Sequence, residues 1–118
     1  MQEIIGSRRD AAHVALARLQ AAHSSEVMIA TQNVDGLHKT GGAQHVLHRH
    51  GTLAGAFCAT CSHRRAAADK RCRQANPALP AGRRNVVWFG EMPYFMEDIC
   101  VPLAATGIFA TIGTSGVV

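Results

Sequence analysis

The chain has 118 residues, of which 47% are apolar and 17% charged, and a formal net charge of +4. That length bounds it to one modest domain, and that balance excludes disordered and fibrous classes. No stretch reaches the roughly 20 apolar residues of a membrane span, and the opening MQEIIGSRRD lacks the basic-then-apolar order of an export signal. A cytoplasmic protein with no membrane partner is expected.

Asp10 stands where a helix N-cap is needed, and Ala12, Ala15, Leu16, Leu19 and Ala22 recur at helical spacing, which predicts an amphipathic helix over residues 11–23. Residues 27–30 form a short apolar run that fits a buried strand. The run opens into TQNVDGLH (31–38), a polar stretch with an Asp-Gly turn. Polar groups just past the carboxyl end of a parallel strand are where open α/β sheets hold ligands. Gln32, Asn33 and Asp35 are therefore candidates for a polar substrate, with an Asx turn that satisfies only its own backbone as the competing reading. Residues 43–50 supply a further short extended piece, closed by Gly51. In it His48 and His50 would share one face, a pairing that could suit a metal. His50, followed at once by glycine, is the better candidate for a general base, since an imidazole titrates near neutral pH. His45 and His63 read as surface residues.

The window 58–84 lacks periodicity and concentrates charge: seven basic residues (Arg64, Arg65, Lys70, Arg71, Arg73, Arg83, Arg84) against Asp69 alone between 62 and 84. It reads as a small irregular insert. Cys58-x-x-Cys61 is half of a tetrahedral zinc site. Cys72 offers a third thiolate, but Ala75 stands where its mate would be, so the fourth cysteine is missing and His63 or water would have to complete a zinc site. Cys100 reads as a small buried hydrophobe. VVWF (86–89) and IFATI (108–112) are predicted as buried strands. Between them, residues 95–105 look helical, with Pro102 expected to kink or shorten the helix. The last strand runs into Gly113-Thr114-Ser115-Gly116, where small residues and hydroxyls suit a phosphate or ribose. Strand, polar loop, helix, strand and glycine-rich loop make an α/β chain.

Taken together, TQNVDGLH (31–38), LHRHGTL (47–53), CATC (58–61), VVWFGEMP (86–93) and IGTSG (112–116) resemble, in order and spacing, the sirtuins, and the WFGEMP form resembles their bacterial class. The resemblance implies an NAD-dependent protein-lysine deacylase that removes acetyl or acidic acyl groups. Its fold would be a partial Rossmann-like parallel sheet (residues 1–57 and 85–118) with a zinc-ribbon-like insert (58–84). It assigns Gln32, Asn33 and Asp35 to the nicotinamide and ribose pocket. It makes His50 the base that takes a proton from a ribose hydroxyl, and it puts Gly113, Thr114 and Ser115 under the adenosine ribose and phosphates. Val87, Phe89, Gly90 and Glu91 would pair with the acyl-lysine peptide as an added strand, and Cys58, Cys61 and Cys72 would face zinc. It also implies an opening strand with a GAGxS loop and later strands that this sequence does not contain. A truncated or degenerate copy, marginally stable and of weak or no activity, is therefore expected. A non-catalytic module that uses the basic 62–84 segment on acidic partners is the alternative. Nucleic acid is disfavoured because no aromatic residue interleaves that run.

Overall fold

The computed structural model describes residues 9–58, 64–66 and 82–115. Its first element, α1 (Ala11–Ala22), begins where Asp10 predicts: the Asp10 carboxylate accepts from the backbone N–H of Ala12 at 3.0 Å and of His13 at 3.1 Å. The buried face is not the predicted alanine-leucine stripe. It runs through His13, Leu16, Ala17 and Gln20, while Ala12, Ala15, Leu19 and Ala22 are exposed. The stripe fails because polar side chains do much of the docking. The Gln20 amide donates to the carbonyls of Val27 and His45, both at 2.8 Å, and accepts from the N–H of Gln44 at 2.8 Å and of His45 at 3.2 Å. Beside it, Ala17 packs with Ala43, Val46 and Ile29 in the small apolar core.

Two three-residue strands, β1 (Ile29–Thr31) and β2 (Val46–His48), pair in parallel with Thr31 opposite His48. The short helix α2 (Leu37–Thr40) lies between them in sequence. β1 is shifted from the apolar run 27–30 by its start at Ile29, and β2 is shorter than the extended piece expected over 43–50. His50 has left the strand for a turn, so it and His48 do not share a strand face as expected.

β3 (Gly51–Cys58) begins a second sheet. It pairs antiparallel with β4 (Arg64–Ala66) on one side and β5 (Gly82–Val86) on the other, with a register irregularity between Thr52 and Ala56. The window read as irregular thus contributes strand at both β4 and β5. β5 ends at Val86, earlier than VVWF predicts, because residues 88–91 close into a turn. The Glu91 N–H donates to the Trp88 carbonyl at 3.0 Å, the Glu91 carboxylate accepts from the Trp88 N–H at 2.9 Å, and Gly90 takes φ +85°. Trp88 and Phe89 are exposed as a result, not buried.

α3 (Met96–Ala105) starts at Phe95, whose φ of 58° is left-handed, and carries Pro102 within it. Proline leaves the Asp98 carbonyl without its helical donor, which is tolerated because that side of the helix faces water. Cys100 is exposed there, not buried. Residues 108–112 form no strand, and Ile108, Phe109 and Ile112 are exposed. An apolar run becomes a parallel strand only beside a partner, and the parallel sheet among the described residues consists of β1 and β2. No helix among the described residues is long and apolar enough to cross a membrane.

Candidate active site

The parallel pair delivers two loops to one place. From Thr31 the chain runs into Gln32, Asn33 and Asp35; from His48 it runs into Arg49 and His50. Backbone bonds lock the loops together: the Arg49 N–H donates to the Thr31 carbonyl and the Leu53 N–H to the Val34 carbonyl, each at 2.9 Å. A third segment is tied to them, since the Val87 N–H donates to the His50 carbonyl at 2.9 Å and the Tyr94 N–H to the Arg49 carbonyl at 2.8 Å. The half-buried His50 therefore lies just past the carboxyl ends of both parallel strands, held between residues 31–34 and 87–94.

The glycine after His50 is required by geometry, not by access to the ring. Gly51 has φ +83°, and a Cβ built on it would lie 1.9 Å from the Asn85 carbonyl oxygen. In the facing loop, Asp35 Oδ1 accepts from the Leu37 N–H at 2.9 Å and starts α2. The local-turn reading of Asp35 is thus realised, with one carboxylate oxygen engaged in it. Gln32 and Asn33 are exposed. Behind the loop, the His38 ring meets His13 edge-on, with centroids 4.7 Å apart. Burial, then the neighbouring His13, hold the His38 imidazole below its ordinary pKa.

The other predicted positions are distributed unevenly. Val87 joins the site through its bond to His50. Phe89, Gly90 and Glu91 form the adjoining turn, where the Glu91 carboxylate takes a two-pronged contact from Arg83 at 2.7 and 2.6 Å. Arg83 also stacks over the Trp88 ring at 4.4 Å. The guanidinium and the Trp88 N–H pull the Glu91 carboxyl down to about 2. Gly113, Thr114 and Ser115 are exposed and lie outside the β1–β2 ladder. Gly113 has φ +68°, and a Cβ there would meet nothing within 4 Å, so its backbone is open to a ligand. Cys58 is fully buried at the end of β3, whereas Cys61 and Cys72 lie outside the described residues. Among the described residues no three His, Cys, Asp or Glu side chains gather as a metal site.

A family model described as Sir2 family matches residues 2–118. The chain belongs to the Sir2 family. Among curated Sir2 relatives, an NAD-dependent protein deacylase of Caulobacter vibrioides is 42% identical over 96% of this chain and 50% of its own length. One from Vibrio cholerae is 40% identical over 91% and 45%. Solved Sir2 structures agree in fold. A Sir2 homologue mutant in complex with ADP ribose aligns at TM-score 0.64 and 30% identity over 80% of this chain and 39% of that one. A Sir2 protein bound to a propionylated peptide aligns at 0.65 and 27%, over 77% and 41%. The chain thus spans half or less of the length of these relatives, and its α/β fold with a parallel strand pair is the Sir2 one.

Sequence reasoning missed Thr31 and Gln20, and read His48 as a metal candidate beside His50 instead of a partner of Asn33. Thr31 and His48 matter only as register partners across β1 and β2, which no local pattern reveals. Gln20 left one signal, a polar residue seven positions, or two helical turns, after His13.

Proposed function

We propose that this chain carries the base and the nicotinamide side of an NAD-dependent protein-lysine deacylase acting on acyl-lysine peptides or proteins in the cytoplasm. The observation that carries the reading is the position of His50. The residue follows the carboxyl end of β2, in a loop tied by backbone bonds to the loop from β1 that carries Gln32, Asn33 and Asp35. There Asn33 and Gln32 offer exposed amide groups to a carboxamide and a sugar, and Asp35 keeps one carboxylate oxygen for the same ligand. His50 takes a proton from a ribose hydroxyl, the work of a general base. The 87–91 segment orders the acyl-lysine peptide beside it, and the open backbone of Gly113 with Thr114 and Ser115 receives the adenosine ribose and phosphates. When bound, NAD supplies a labile glycosidic bond to nicotinamide. Cys58, Cys61 and Cys72 suit zinc as soft thiolates, with the fourth ligand supplied by another group.

Relatives named as deacylases, and a Sir2 protein bound to a propionylated peptide, support this substrate class. The alternative use of the basic window for acidic partners loses ground on the described side chains. Arg83 is paired with Glu91, Arg84 donates to the Leu53 carbonyl at 3.1 Å, and Arg64 stacks over Tyr94 at 5.1 Å. The test is nicotinamide release from NAD in the presence of acetyl- or succinyl-lysine peptide. Release by the chain and its loss in His50→Ala are expected; equal release by both would reject the assignment.

A further inference from the structure

Thr31 and His48 are the buried polar residues among the described core, at 7% and 4% exposure, and they face each other in the β1–β2 register. Both reach the same residue. The Asn33 N–H donates to the Thr31 hydroxyl oxygen at 3.1 Å, and the His48 Nδ1 lies 3.2 Å from the Asn33 carbonyl oxygen. One side chain thus holds the amide of Asn33 and the other its carbonyl, from two adjacent strands. A carbonyl can only accept, so the contact selects the His48 tautomer with hydrogen on Nδ1. The His48 Nε2 is buried with no partner among the described residues. Buried polar atoms are normally satisfied, and an orphan is retained where it serves something else. Here the other ring nitrogen fixes a loop.

We propose that His48 and Thr31 are positioning residues that clamp the main chain of Asn33 and so aim its amide side chain at the nicotinamide-ribose end of NAD. The proposal rests on the function proposed above, because it concerns the same pocket. A clamp of this kind acts on dinucleotide binding more than on proton transfer, since His50 is held separately by the Val87 and Arg49 backbone bonds.

Three variants of the full chain separate positioning from simple packing. His48→Phe fills the space and removes the donor. His48→Asn returns an N–H near the Nδ1 position. Thr31→Val keeps shape and removes the hydroxyl. We expect His48→Phe to raise KM for NAD about tenfold, the loss of one well-made hydrogen bond, with a much smaller change in kcat. His48→Asn should recover most of that loss, and Thr31→Val combined with His48→Phe should be less damaging than the product of the single effects. Equal impairment in His48→Asn and His48→Phe, or an unchanged KM in His48→Phe, overturns the clamp. Nitrogen-15 spectra of the histidine rings decide the matter independently of turnover. A His48 ring with hydrogen on Nδ1 and none on Nε2 supports the clamp, and the opposite tautomer overturns it. A wild-type chain that releases no nicotinamide yet shows the Nδ1–H tautomer would count against the deacylase reading while leaving the clamp standing.

Discussion

Gly51 joins two jobs in one residue. Its left-handed φ ends the His50 turn, and its bare Cα lets β5 approach, with the Asn85 carbonyl 1.9 Å from where a Cβ would be. Any side chain meets both a disfavoured backbone region and a backbone atom that cannot swing aside. Gly51→Ala is expected to cost about 3 kcal/mol, read as the shift of a chemical denaturation midpoint. Glu91 is the second residue whose surroundings predict a measurable effect. Its folded pKa is depressed from 4.5 to about 2 by Arg83 and the Trp88 amide. The ionised form therefore favours the folded state above pH 4.5, and the contribution disappears as pH falls from 4.5 towards about 2. Because the pair is solvent-exposed the slope will be shallow, and it should fade with added salt. Glu91→Gln should flatten that part of the stability–pH profile, and a wild-type slope that survives the substitution would refute the account.

At the scale of elements, α1 is fastened to the sheet by one side chain more than by its apolar stripe. Gln20 makes four hydrogen bonds to the strand approaches at Val27, Gln44 and His45. Gln20→Ala should destabilise the chain by about 2 kcal/mol, with faster hydrogen exchange at the Gln44 and His45 amides. If exchange there is unaltered, α1 is held by packing instead. The helix also shows what local sequence can and cannot specify. Asp10 announces the start of α1 because capping is a contact between near neighbours. The buried face departs from the stripe because three of the four Gln20 hydrogen bonds reach partners 24 and 25 residues away, beyond any periodic signal. Likewise, the ends of β5 depend on the turn that Glu91 and Gly90 impose, not on the apolar character of VVWF.

For the whole molecule, the α/β class and a polar loop of Gln32, Asn33 and Asp35 past a strand end are legible in the sequence, because strand ends followed by polar residues are a local pattern, whereas the meeting of that loop with the one at His50 depends on strand pairing. The antiparallel β4-β3-β5 sheet was not legible, since its pairing is between segments with no alternation of their own. Residues 108–112 had the composition of a buried strand but lack a described neighbour to complete it. The consequence is apolar area facing water at Trp88, Phe89, Ile108, Phe109 and Ile112. The folded chain should bind an environment-sensitive apolar dye below its unfolding transition. Phe109→Ser with Ile112→Ser should weaken that signal without lowering the transition midpoint; a signal that appears only on unfolding would contradict the exposure.

The junction at His50 gives the molecule an internal gauge. The carbonyl of the residue that carries the imidazole is also the acceptor for Val87, so the β3–β5 ladder ends in the peptide of His50 itself. Fraying that end of the ladder releases the Val87 amide to solvent and frees the peptide of His50 together. The deuterium clock of the Val87 N–H can therefore time how long the turn at His50 stays closed.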